Sequence, residues 1–180
     1  HKQSKKTILF DILFQKVFHI PPCLIKIRIR SARRLVLIYQ EYTFTQEQER
    51  TSDCPLTSEV NAYIYEPNAS ILKAGAYRSL TQAYPVQKLH VSSHLYTSEH
   101  FIEDFPGRRF RVEGVSGFGK KELKTFLQGT EKANLTIRNF PSSVAELRKR
   151  LKLKEGGDDY LFATTLADES KVIIKCKKHG

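Results

Sequence analysis

The chain has 180 residues, 40% of them apolar, and a formal net charge of +11. That length holds one mid-sized domain or two small ones with a buried core. No window offers 18 uninterrupted apolar residues, which argues against a membrane-spanning helix. The charge is uneven. Residues 1–40 carry nine Lys and Arg against one acid, residues 41–100 four against seven, and residues 101–180 seventeen against eleven. Two basic blocks around an acidic middle point to nucleic acid or an acidic surface as partner, with a solvated charged coat as the bland alternative. Cys23, Cys54 and Cys176 are odd in number and form no C-x-x-C. A disulfide framework and a thiolate zinc site are therefore disfavoured, and a reducing, cytoplasmic setting is expected. The chain opens at His1 and contains no Met, as expected of a fragment or a processed product. Lys5-Lys6 before an apolar run imitates a secretory signal, but Asp11 and Lys16 interrupt the run and no cleavage site follows.

The spacing of apolar residues over 8–20 predicts a helix, closed by Pro21-Pro22. Residues 24–30 alternate as a half-buried strand with a basic outer side, and 35–39 form a second β-rich run. Residues 45–56 read as a polar loop. Glu66-Pro67-Asn68 reads as a helix start with proline in the first turn. The inner stripe would be Ile71, Leu72, Gly75, Ala76 and Leu80, ending near Tyr84 before Pro85. Residues 86–96 are extended in character, and a domain boundary is expected near Ser98. Beyond it the pattern is more regular: a strand over 108–115, a helix over 120–128, a strand over 133–139, a helix over 144–153, and a hairpin over 160–166 and 171–176. Ser143 and Glu146 form the S-x-x-E capping box. The fold class is thus α+β, a small β-α-β-α-β-β sandwich with its helices on one sheet face.

Few residues suggest chemistry. Gly114–Lys120 matches G-x-x-x-x-G-K, but Lys121 stands where a magnesium-ligating Ser or Thr is required, and no strand ending in Asp follows. A flexible Gly-rich turn is the preferred reading, and a small nucleotide hydrolase the rival. In extended chain His90 and His94 would lie about 13 Å apart, too far to share a zinc ion without a turn. Glu66 with Asn68 is read as helix capping, and Asp158-Asp159 as part of a turn. No catalytic residue, metal set or cofactor loop emerges. The basic helices give more. Lys120, Lys121 and Lys124 lie opposite Leu123, Phe126 and Leu127. Inward-facing Val144, Leu147 and Leu151 leave Lys149, Arg150 and Lys152 outside, with Arg148 at the border. Arg138-Asn139-Phe140 at a strand end adds a charge, an amide and a ring, the mix that clamps and stacks a base. The bland reading puts Phe140 in the core.

YIYEPNASILKAGAY (63–77), KLHVSSHLYTS (88–98), FPGRRF (105–110), ANLTIRNFP (133–141) and LRKRLKLKEGGDDYLFATT (147–165) together resemble the C-terminal half of a family of bacterial class I S-adenosylmethionine-dependent methyltransferases. There a ferredoxin-like segment is followed by a THUMP-like domain. The resemblance implies an unassigned segment over 1–34, a partial ferredoxin-like α/β segment over 35–98 and a THUMP-like domain over 99–180. It also implies a catalytic Rossmann-type domain upstream that would hold S-adenosylmethionine, with no cofactor in this segment. THUMP domains grip tRNA near its acceptor end, so RNA (tRNA or rRNA) is the expected partner by fold analogy.

The resulting expectation is a non-catalytic RNA-positioning region. It would use Arg108, Arg109, Arg111, Lys120, Lys121, Lys124, Arg138, Lys149, Arg150 and Lys152 on phosphates and Phe140 on a base. The alternative is a structural or protein-interaction module packing on the parent's catalytic domain. The basic amphipathic start over 5–20 also permits contact with a membrane surface.

Overall fold

In the computed structural model the backbone is described for residues 24–33 and 36–179, and side chains from Tyr42 to His179. The helix expected over 8–20 lies outside these residues. Strands β1 (Leu24–Arg33) and β2 (Val36–Thr45) pair antiparallel as a two-stranded ribbon. Thr45 then starts helix α1 (Gln46–Thr51) where a loop was expected. The Gln48 N–H donates to Thr45 Oγ1 at 2.9 Å, and the Thr45 N–H donates to Gln48 Oε1 at 2.7 Å, a reciprocal cap. α1 buries no side chain. Glu49 anchors it instead, accepting the backbone N–H groups of Tyr77, Arg78 and Ser79 at 2.9, 2.7 and 2.9 Å.

The single helix expected after Glu66 is corrected by the structure. Pro67 ends strand β3 (Tyr63–Pro67), and Asn68 caps helix α2 (Ala69–Ala74) without a side-chain bond. Gly75, left-handed at φ 76, stops α2. The chain restarts as α3 (Ser79–Ala83), so Ile71 and Leu80 reach one core from two short helices. Two short strands follow, β4 (Gln87–Lys88) and β5 (Tyr96–Ser98).

The remainder follows the expected β-α-β-α-β-β order: β6 (Gly107–Gly117), α4 (Lys120–Phe126), β7 (Asn134–Arg138), α5 (Val144–Leu151), β8 (Asp159–Thr165) and β9 (Lys171–Lys178). All strands from β3 onward join one seven-stranded sheet in the order β4-β5-β3-β6-β9-β8-β7. Only β7 and β8 run parallel, which the crossover through α5 permits. β6 is the central connector. It pairs with β3 through Tyr63–Pro67 and with β9 through Val172–Lys178, and a bulge at Glu113 shifts its register.

Side-chain alternation divides the apolar residues between the two sheet faces. On one face Leu123, Leu127 and Leu147 from α4 and α5 cover Leu161, Ala163 and Ile173. On the other, Ile64, Leu89 and Leu95 pack with Phe110, Phe162, Ile174 and Cys176. A third cluster joins Tyr42 and Phe44 of β2 to Tyr65, Ile71, Leu80, Tyr96 and Phe105. Helix α5 opens with the expected capping box. The Ser143 N–H donates to Glu146 Oε2 at 2.8 Å, and the Glu146 N–H donates to Ser143 Oγ at 3.2 Å. Ser143→Ala should cost about 1 kcal/mol, read as a lower urea midpoint at unchanged m-value.

Candidate nucleic-acid interface

Helices α4 and α5 rest on the same apolar cluster, so they cover one face of the sheet. Arg150 of α5 ties that helix to the turn leading into α4: its guanidinium lies 3.8 Å from the centre of the Phe118 ring and donates to the Phe118 carbonyl at 3.0 Å. Lys120, Lys121 and Lys124 on α4, and Lys149 and Lys152 at the end of α5, are exposed. Among the described residues none of these five meets a carboxylate at ion-pair distance. Lys132 and Lys154, also exposed, face each other across an isolated parallel bridge and extend the positive surface past the end of α5. Neither was singled out from sequence, because each sits outside a regular helix.

Lys152 caps α5 with a left-handed backbone, φ 56, a conformation that favours glycine. Its charge there complements the negative end of the helix dipole. Val144, expected to face inward, is 42% exposed at the first position of α5, which leaves Leu147 as the one fully buried residue of that helix.

The other expected contact residues fall elsewhere. Alternation along β6 places Arg109 and Arg111 on the helix-bearing face, but beside β3, away from α4 and α5. Arg111 is exposed, whereas Arg109 lies 5.5 Å from the centre of the Phe101 ring and donates to the Glu103 carbonyl. Arg108 shares the face of Phe110, and Arg138 that of its partner Thr164, so both sit on the side opposite the helices. Both bind Glu66, whose expected capping role gives way to this bridge. Phe140 packs edge-on against Phe118 with centroids 4.8 Å apart, at the rim of the helix-side cluster, and does not stand clear as a stacking platform.

Gly114–Gly117 is strand and not a phosphate-cradling loop. A Cβ at Gly114 would lie 2.9 Å from the Phe126 ring, and one at Gly117 would lie 2.4 Å from the Glu122 carboxylate. These glycines let α4 approach β6, and their covered backbone forms no phosphate-cradling loop.

The histidines are held by neighbours. The Ser92 N–H and the Asn139 amide turn toward His90 Nδ1 at 3.0 and 2.9 Å, so Nε2 carries the proton and faces Glu169 at 3.0 Å. This clasp links the β4–β5 connection to the end of β7 and to the β8–β9 turn. His94 stacks on Tyr77 with centroids 4.1 Å apart. Burial, then the Lys88 and Arg138 charges, hold its pKa below the ordinary value of 6.5.

Part of the basic block is paired with an acid. Asp159, placed by sequence in a turn, faces Lys177 at 2.5 Å and Lys175 at 3.3 Å. Burial opposes its charge, but the two ammonium groups prevail and lower its pKa below 3.8. A depressed acid stabilises the fold above its unfolded pKa, and that contribution is lost as pH falls through the folded value. Asp159→Asn should therefore lower the urea midpoint at pH 7, and the gap to the parent chain should close as pH drops below about 3.8.

Residues 63–106 match the model of a ferredoxin-like domain, and residues 107–178 match that of a THUMP domain-like family. The chain joins a ferredoxin-like segment to a THUMP-like one. The crystal structure of a "putative methyltransferase" from Porphyromonas gingivalis W83 is similar, with 38% identity and a TM-score of 0.76. The match covers 86% of this chain and 38% of that one, so this chain spans well under half of that protein's length. No curated protein matches significantly. Within the THUMP-like segment lie α4, α5 and the whole lysine surface; Glu66 and the His90 loop belong to the ferredoxin-like segment. No helix among the described residues is long and apolar enough to cross a membrane.

Proposed function

We propose that this chain is a non-catalytic region of an S-adenosylmethionine-dependent RNA methyltransferase, one that holds structured RNA for a catalytic domain located elsewhere in the longer protein. The carrying observation is the set of exposed, unpaired lysines on α4 and α5: Lys120, Lys121, Lys124, Lys149 and Lys152. Lysines without aromatic partners bind phosphate and leave base identity unread, which suits positioning more than sequence choice. The aromatic rings near them, Phe118, Phe126 and Phe140, pack into the helix-side cluster. The THUMP-like match and the likeness to a protein described as a methyltransferase support the same reading. In it S-adenosylmethionine belongs to the catalytic domain, and no residue of this chain is assigned to the cofactor.

The test is RNA affinity against salt. Neutralising five phosphates should make log K fall with log salt at a slope of about −4. Replacing Lys120, Lys121 and Lys124 together by Ala should reduce that slope by about 3 and weaken binding alike across RNA sequences. A salt-independent affinity, or an unchanged slope in the triple variant, rejects the mechanism. The second reading is docking of the same lysines on an acidic face of the parent's catalytic domain, which the unmatched length of the similar structure favours. Under that reading heparin and tRNA would compete equally, because charge alone would be recognised.

A further inference from the structure

We propose that Arg108 and Arg138, held together by Glu66, form a binding site for a phosphate group of a nucleic-acid strand, on the sheet face opposite α4 and α5. β3 and β7 stand four places apart in the sheet, which would separate them by about 19 Å if the sheet were flat. Yet Arg138 at the end of edge strand β7 touches Glu66 of β3, so the sheet curls enough to bring β7 back to this carboxylate.

The arrangement is layered. The Glu66 side chain is 4% exposed, while Arg108 and Arg138 are 46% and 37% exposed, so the carboxylate lies behind and the guanidiniums in front. Arg108 directs Nε at 2.6 Å, together with Nη2, onto Glu66 Oε2. Arg138 directs Nη2 onto Glu66 Oε1, and Nη1 onto the Ile137 carbonyl at 3.2 Å. Of the five N–H donors on each group, those on Arg108 Nη1 and Arg138 Nε have no acceptor among the described residues.

One guanidinium would neutralise Glu66; the second leaves a net positive charge. Two partly exposed guanidiniums held by a shared buried acid, with donors left free, are pre-organised for a tetrahedral oxyanion that can bridge them. Only the identity of the ligand, a nucleic-acid phosphate, rests on the proposed function. The site itself is separate from the lysine surface.

The test uses the full chain labelled with 15N at arginine. The Nε–H resonances of Arg108 and Arg138 are followed against inorganic phosphate, chloride at matched ionic strength, and 5′-phosphorylated and 5′-hydroxyl dinucleotides. Saturable shifts with phosphate and with at least one dinucleotide are expected. Response to the 5′-phosphorylated dinucleotide alone assigns a terminal phosphate; response to both assigns a backbone phosphodiester. Arg138→Lys keeps a cation for Glu66 and removes the fork, so it should weaken phosphate binding about tenfold, the equivalent of one charge-assisted hydrogen bond. If circular dichroism shows that variant unfolded, Arg108→Lys is read in its place. The triple Lys120, Lys121 and Lys124 variant should leave the response intact, which separates failure here from failure of the lysine surface. A phosphate response no larger than that to chloride, an unweakened Arg→Lys variant, or binding of inorganic phosphate with neither dinucleotide overturns the proposal.

Discussion

Expressed alone, residues 107–178 should fail to fold. The THUMP-like match begins at Gly107, but β6 is zipped to β3 across the junction through the pairs from Tyr63 with Arg111 to Pro67 with Gly107. Removing residues up to 106 strips β6 of that neighbour and exposes its edge. It also takes Ile64, Leu89 and Leu95, each 0% exposed, from the cluster around Phe110 and Phe162. At about 1.5–3 kcal/mol per buried side chain, that loss is roughly 5–9 kcal/mol. It is comparable with the about 5–15 kcal/mol that holds a typical domain together. Two polar links are lost as well, Glu66 with its arginines and His90 with Asn139 and Glu169. The isolated piece should show weak near-ultraviolet dichroism and rapid proteolysis. In the full chain, tyrosine fluorescence and far-ultraviolet dichroism should report one coincident urea transition. Cooperative unfolding of the isolated piece would show that the two matched segments are independent.

Gly107→Ala should be the most damaging single methyl addition. A Cβ there would lie 2.2 Å from the Glu66 carbonyl oxygen and 2.9 Å from the Phe105 ring. The oxygen belongs to backbone fixed by the β3–β6 ladder, so it cannot rotate away as a side chain could. The ladder must open at the junction, and Phe105 must shift in its cluster as well. The expected cost is about 3 kcal/mol. Gly129→Ala is the useful contrast, because nothing lies within 4 Å and the only penalty is a left-handed φ of +82. It should cost about 1 kcal/mol. Equal urea midpoints for the two variants would contradict the close approach at Gly107.

The THUMP-like half was largely legible because its signals are local. Leu123 and Leu127, Ser143 with Glu146, and the apolar run Tyr160–Ala163 each declare an element within a few residues. Helix α1 was missed because Gln46–Thr51 has no apolar stripe: its cap is Thr45 with Gln48, and its anchor Glu49 reaches across to residues 77–79. A helix drawn through to Tyr84 takes Gly75 into its inner stripe because the apolar spacing continues past it, whereas a left-handed Gly75 ends the helix there. Glu66 was misread for a different reason. Proline and asparagine beside it suggested a cap, but its partners lie 42 and 72 residues away. The candidate surface was legible in composition and only partly in geometry. The helical lysines project as the period requires, whereas adjacent Arg108 and Arg109 must part to opposite faces of a strand.

The extra residue at Glu113 decides more than a local kink. Val112 and Gly114 meet consecutive partners, Cys176 and Lys175, so Glu113 has no counterpart on the neighbouring strand. Losing it would leave every other inward and outward assignment on β6 unchanged, whereas losing a residue farther from the bulge would shift the stretch between them to the opposite face. The position is thus free to vary in number without scrambling the interior. What it governs is curvature: bulges bend and coil a sheet, and only a coiled sheet brings the margin at β7 within reach of an acid four strands away on β3.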